Sequence, residues 1–250
     1  MRKDEMDDEL KHILRLRFYV GTIQGLLTRT LRGGLIVVPS APVLVDLEDD
    51  EAHREALEGS DFAITDSGFF VLLWFLFKGE RLPRISGLRY LRALLTFPEF
   101  RKAGATYWVM PSEDDARANC EWLKSQGIPV GTDDCYLAPM YPAGRLKDDE
   151  LLARIERKRP AFVVLCIGGG SQERLGFFLI SRLSYRPAIL CTGAAIAFLS
   201  GRQVRIPVWA DRLMLGWLLR ILSSPVKFVP RFWKALRLAP IVLKAETRRP

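Results

Sequence analysis

The sequence predicts an α/β protein: a parallel, Rossmann-like sheet sandwiched by helices, followed by a basic helical appendage at the C-terminus. Three observations predict it. Short apolar runs of strand composition alternate with helical patterns through residues 1–201. Two of those runs lead into turns of glycine and small polar residues that then open a helix. After residue 201 the charge changes abruptly. Strands alternating with helices imply crossover connections and hence a parallel sheet covered on both faces.

The strands are expected at 35–38, 62–65, 106–110, 162–167 and 188–192, with helices between them at 50–58, 69–77, 112–126, 148–158 and 172–183. Ser112, with Asp115 three residues on, resembles a capping box at the start of one of these helices. The run 69–77, closed by Gly68 and Lys78, reads as a buried helix, since it falls well short of the ~18 apolar residues of a membrane span. Such a helix also offers an interface for a homo-oligomer. Residues 1–32 read as one or two amphipathic helices. The acidic start lacks the basic and apolar segments of a signal peptide, so export is not expected.

Composition narrows the function classes. With 49% hydrophobic and 26% charged residues over 250, the chain is neither disordered nor collagen-like and can bury a sizeable core. Cys120, Cys135, Cys166 and Cys191 form no Cys-x-x-Cys pair and read as reduced thiols. His12 and His53, both placed in helical stretches, lack metal-ligand spacing to a second His or to a Cys, so no zinc site is expected.

The appendage carries most of the asymmetry. Residues 202–250 hold eleven Lys or Arg against Asp211 and Glu246, a net +9, which leaves −1 on residues 1–201. Trp209, Leu213, Trp217 and Leu218, then Phe228, Phe232, Trp233 and Leu236, interleave with those cations. Apolar side chains among cations suit an anionic membrane surface. Packing on the body with a solvated basic face is the plainer alternative. Nucleic acid is disfavoured because bulky aliphatics outnumber what base stacking needs. The chain therefore divides into a body, 1–201, expected to fold without the appendage, and an appendage, 202–250.

Ligands of such sheets bind beyond the carboxyl ends of the strands. After 62–65 come Asp66, Ser67 and Gly68. An aspartate held there by a turn glycine is placed to act as a general base, or else caps the helix that follows. After 162–167 come Gly168, Gly169, Gly170 and Ser171, with Gln172 and Glu173 opening a helix. Glycine amides and a helix N-terminus make a cradle for phosphate or diphosphate; a tight turn is the alternative. Glu173 stands where a dinucleotide fingerprint needs its third glycine, and no Gly-Lys-Ser/Thr follows. No Asp-x-Asp occurs, so a nucleotide diphosphate would be met by amides and arginines rather than by Mg²⁺.

The order of these motifs resembles the WecB/TagA/CpsF glycosyltransferases, glycosyltransferase family 26. The resemblance runs from about residue 35 to 232. Residues 56–68, ending Thr65-Asp66-Ser67-Gly68, look like the family's Pro-Asp-Gly segment. Arg84-Ile85-Ser86-Gly87 looks like its Arg-Val-Thr-Gly. Cys135-Tyr136-Leu137 sits at Gly-Tyr-Phe, and residues 168–173 match Gly-(Ser/Thr)-Pro-Lys-Gln-Glu. Trp217-Leu218-Leu219-Arg220, Pro225 and Arg231-Phe232 match the family's tail.

The resemblance implies a metal-independent, cofactor-free, inverting transfer of a hexosyl or N-acetylhexosaminyl group from a UDP-sugar to a polyprenyl-diphosphate-linked sugar. It implies work at the cytoplasmic face of the cell membrane, in surface or exopolysaccharide synthesis. It makes Asp66 the base. Ser40, Thr65, Ser67, Gly68, Gly87, Tyr136 and residues 168–173 become substrate-binding positions, and Arg220 and Arg231 meet the diphosphate. The chain departs from the family at Val38 (Thr), Ser40 (Asn), Ala197 (Asp) and Gly216 (Glu). A catalytically degenerate, membrane-associated relative is therefore one alternative, and a dinucleotide-dependent oxidoreductase another.

Overall fold

The computed structural model describes residues 9–203, 222 and 225–245. In the body these form strands β1 (Leu10–Ile13), β2 (Leu16–Tyr19), β3 (Gly34–Val37), β4 (Phe62–Ile64), β5 (Thr106–Met110), β6 (Cys135–Leu137), β7 (Phe162–Leu165) and β8 (Ala188–Cys191). The helices between them are α1 (Ile23–Thr30), α2 (Ala41–Asp49), α3 (Glu51–Glu58), α4 (Gly68–Lys78), α5 (Gly87–Leu95), α6 (Glu113–Ser125), α7 (Asp149–Lys158), α8 (Ser171–Arg182) and α9 (Ala195–Leu199). The appendage contributes α10 (Pro225–Leu236) and α11 (Leu238–Lys244).

One eight-stranded sheet has the order β1-β2-β4-β3-β8-β7-β5-β6, parallel throughout except for the β1–β2 hairpin. Its central strands are buried on both faces, and side-chain alternation splits the core in two. Leu35, Val37, Ala63, Val163, Leu165 and Ile189 face α2, α3, α4, α7 and α8. Ile36, Phe62, Ile64, Trp108, Val164 and Leu190 face α1, α5, α6 and α9. The α/β class and all five expected strands are present.

The N-terminal segment departs from the helices expected at 1–32. Residues 10–19 form the hairpin, and among the described residues of this segment only α1 is helical. Leu14 and Arg15 both adopt positive φ, 49° and 66°, the backbone of a tight two-residue hairpin loop whose twist matches the strands. Phe18 and Tyr19 continue in parallel register with Ala63 and Ile64. Pairing with β4 and burial of Ile13, Leu16, Phe18 and Tyr19 outweigh local propensity. His12 accordingly lies on a strand.

Helix α4 is also not the buried helix expected. Phe70, Val71, Leu73 and Trp74 are buried, whereas Leu72, Phe75, Leu76 and Phe77 are 40–62% exposed. Ala235, Leu238 and Val242 from the appendage join the α2/α4 side of the core, the last two fully buried. Lys234 pairs with Asp46, and Arg237 Nη2 pairs with Asp49 Oδ2 at 3.0 Å. Two cations expected to face a membrane are thus turned onto α2, and the body shares its core with residues 225–245. The four cysteines are free thiols; Cys120 Sγ on α6 and Cys135 Sγ on β6 lie 2.8 Å apart.

Candidate active site

The loop after β4 presents Asp66. The backbone leaves the strand at Thr65, which is fully buried and donates its hydroxyl to Pro83 O, tying the strand end to the segment before α5. Ser67, not Asp66, caps α4: its hydroxyl accepts from the Phe70 amide at 3.2 Å. Gly68 is the first residue of that helix. Relieved of the α4 cap, the Asp66 carboxylate turns towards α5 and accepts from the Gly87 amide at 2.8 Å. Arg84 Nε donates to Asp66 O at 2.7 Å. Asp66 is thus gripped at its backbone and at Oδ1, while the side chain stays partly exposed. Gly87 sits close to β3: a Cβ there would meet Val38 Cγ1 at 3.0 Å, and Val38 would have to give way.

The loop after β7 is built differently. Gly170 turns the chain at φ +89°, a conformation that favours glycine. Its amide donates to Glu173 Oε2 at 2.6 Å, so the first turn of α8 is closed by its own acid. Glu173 is fully buried and also accepts from Gln172 Nε2 at 2.9 Å. Burial pushes the Glu173 carboxyl above its ordinary range, opposed by nearby His53, by Gln172 and by backbone amides. Gln172, also buried, accepts from the Gly193 amide at 2.8 Å and ties this loop to the end of β8. Both side chains expected at a ligand are therefore turned inward as positioning groups. Gly169 packs against α2, where a Cβ would meet Val43 Cγ2 at 2.7 Å, whereas a Cβ at Gly168 or Gly170 would enter open space. The amides of Gly168 and Gly169 meet no acceptor among the described residues. Ser171 begins α8.

Between these loops lie the ends of β3 and β8. Ser40, at the end of β3, is the N-cap residue of α2 but makes no side-chain cap bond, and it is partly exposed. Asp66, Ser40 and Gly168–Gly170 thus share one edge of the sheet. Three strand spacings separate the first from the last, about 14 Å. That span suits an elongated ligand with a reacting centre at one end and an anion at the other.

Tyr136 is not part of this group. It lies on edge strand β6, five strand spacings from β4, and its hydroxyl donates to Asp148 at 3.0 Å. Arg220 lies outside the described residues. Arg231 lies on α10 with its side chain exposed. The ring of its neighbour Phe232 lies 6.4 Å from that of Phe69, tilted by 51°, so that turn of α10 abuts the start of α4.

Two arginines that shape the site had no place among the expected site residues. Arg84 belonged to a quoted motif, and its spacing from Gly87 was the available signal. Arg174, 9% exposed, donates to Gly170 O at 3.0 Å and to Gly144 O at 2.9 Å, and stands 3.7 Å from Asp50. It locks the glycine loop from behind, a role that only the fold reveals. No three His, Cys, Asp or Glu side chains among the described residues converge as a metal cluster would need.

A partly exposed carboxylate and a glycine loop thus stand at the same ends of the parallel strands β4 and β7. The sequence matches the family model of the WecG/TagA/CpsF glycosyl transferases over residues 12–250, nearly its whole length. The chain belongs to that family of glycosyltransferases.

Proposed function

We propose that this glycosyltransferase moves a hexosyl or N-acetylhexosaminyl group from a UDP-sugar to an acceptor sugar carried on polyprenyl diphosphate, with inversion and without a metal. The polymer would be a cell-surface or exocellular polysaccharide, made at the inner face of the cell membrane. The observation that carries the reading is Asp66, held by the Gly87 amide at the β4 end with its side chain partly exposed.

In this reading the acceptor hydroxyl attacks the anomeric carbon and gives its proton to Asp66. The bond to the diphosphate oxygen breaks, and UDP leaves with the electron pair. The free amides of Gly168 and Gly169 and the N-terminus of α8 take up the developing negative charge. Arg231, and Arg220 from the undescribed segment, are proposed to add cations as the appendage meets the site. The functional division is then a sugar-transferring body, 1–201, and a closing, membrane-facing appendage, 202–250. A second reading, a relative that binds UDP without transferring, is favoured by Ala197, which places a methyl group where the family has a carboxylate.

A panel of UDP-sugars offered with a lipid-diphosphate-sugar acceptor, read by mass spectrometry, tests both. Transfer from one donor, at rates within a few fold in EDTA and in Mg²⁺, supports the proposal. UDP binding without any product supports the second reading, and failure to bind UDP overturns both.

A further inference from the structure

We infer that helix α4 is a membrane-inserting element, and that the surface it meets is an anionic lipid bilayer. The helix is apolar all round. One face, Phe70, Val71, Leu73 and Trp74, fills the core. The other leaves Leu72, Phe75, Leu76 and Phe77 at 48, 40, 62 and 40% exposure. Residues 72, 75 and 76 stand in i, i+3, i+4 relation and so share one stripe. A helix apolar on both sides belongs in a core or in lipid. The described residues cover only one of its sides.

The stripe is continuous with the appendage. Helix α11 packs beside α4, and Lys78 Nζ donates to Leu243 O at 3.0 Å, which sets the 58%-exposed Leu243 next to the end of α4. The charge around the helix selects the partner. Lys78 ends it, and Arg81 follows with its guanidinium 5.5 Å from the Phe75 ring. Glu80, the only acid between Gly68 and Arg84, is already paired with Lys11. Cations at the end of an apolar stripe fit an anionic headgroup layer, with the side chains entering the acyl boundary. A second protein copy would be offered the same unopposed positive charge on both sides.

The placement gives the surface a role. Helix α4 starts two residues after Asp66 and runs about 16 Å, so lipid docking along it fixes the carboxylate at a set height above the bilayer. The inference rests on the proposed lipid-borne acceptor only for this role; the docking itself is independent of the reaction.

The test uses the full-length chain and vesicles of phosphatidylcholine with or without phosphatidylglycerol. Leu72→Glu/Leu76→Glu should weaken binding to the anionic vesicles on the order of tenfold or more, because two aliphatic side chains lose their apolar surroundings. Both positions are exposed, so its melting temperature should match wild type. Leu76→Trp gives an independent reading: its emission should be quenched by brominated acyl chains only in anionic vesicles. Unchanged vesicle binding by the double variant together with an unquenched Trp would overturn the inference. So would a lower melting temperature or a change of oligomeric state with vesicle binding intact, since α4 would then be covered by protein. Transfer to a water-soluble acceptor, retained in both variants, reports separately on the proposed sugar transfer.

Discussion

The loops after β4 and β7 look alike on paper, each a strand end with glycine, a small hydroxyl residue and an acid, opening onto a helix. They put their acids to opposite uses. After β4 the serine caps the helix, and Asp66 is left to reach across to Gly87 with its side chain partly exposed. After β7 no side chain stands at the cap position, because it is Gly170. The acid three residues on folds back to close the turn. An acid near a helix start is available for chemistry when another residue has taken the cap, and is consumed when none has.

The comparison breaks most visibly at Asp66. Asp66→Asn keeps an acceptor oxygen for the Gly87 amide and removes the proposed base, so turnover should fall ~10²–10⁴-fold while UDP affinity stays near wild type. More than half of wild-type turnover would return Asp66 to a structural role.

Glu173→Ala should act on stability instead. It strips a buried partner from the Gly170 amide and from Gln172, a loss of about 1–3 kcal/mol, visible in a denaturant titration. Turnover per folded molecule should stay within a few fold. Loss of activity at full stability would place Glu173 in contact with substrate.

Glu173→Gln sharpens the same point through pH. Burial raises the Glu173 carboxyl above its ordinary 4.5. Stability held with the neutral acid below that pH is therefore lost as pH rises through the raised value. The Gln variant cannot ionise, so its stability relative to wild type should improve as pH rises from 4.5. A difference that stays flat across the carboxyl range would mean that the folded protein holds the charged form as readily as water does.

Ser67→Ala is the smallest change. Losing the α4 cap should cost about 1 kcal/mol, read as a modest drop in melting temperature. If Asp66 then swings to cap α4, its bond to the Gly87 amide is given up and turnover falls as well. A stability loss without any change in turnover would show the two roles to be independent.

Much of this was legible in the sequence. All five strands of the central alternation could be read because strands buried on both faces are near-continuous apolar runs. The strand-end position of Asp66 could be read because an apolar strand run followed by an apolar helix fixes where the connecting loop lies. The hairpin 10–19 could not, since its stability comes from pairing with β4, fifty residues away, and its turn uses Leu14 and Arg15 rather than glycine or asparagine. Edge strand β6, three residues long, carries too little pattern. The inward turn of Gln172 and Glu173 depends on Gly193 and Gly170 standing beside them, and Arg174 depends on Gly144. Pairings of that kind are set by the sheet order.

On the proposed mechanism, with Asp66 available as base and Glu173 turned inward, transfer is a single displacement at the anomeric carbon. The stereochemistry of the product tests this most directly. With an α-linked UDP-sugar donor and a lipid-diphosphate-sugar or soluble acceptor analogue, the anomeric configuration of the new bond is read by NMR coupling. A single displacement gives a β-linked product. An α-linked product would contradict it, and would point to retention instead, by a covalent intermediate or by attack on the face the diphosphate leaves.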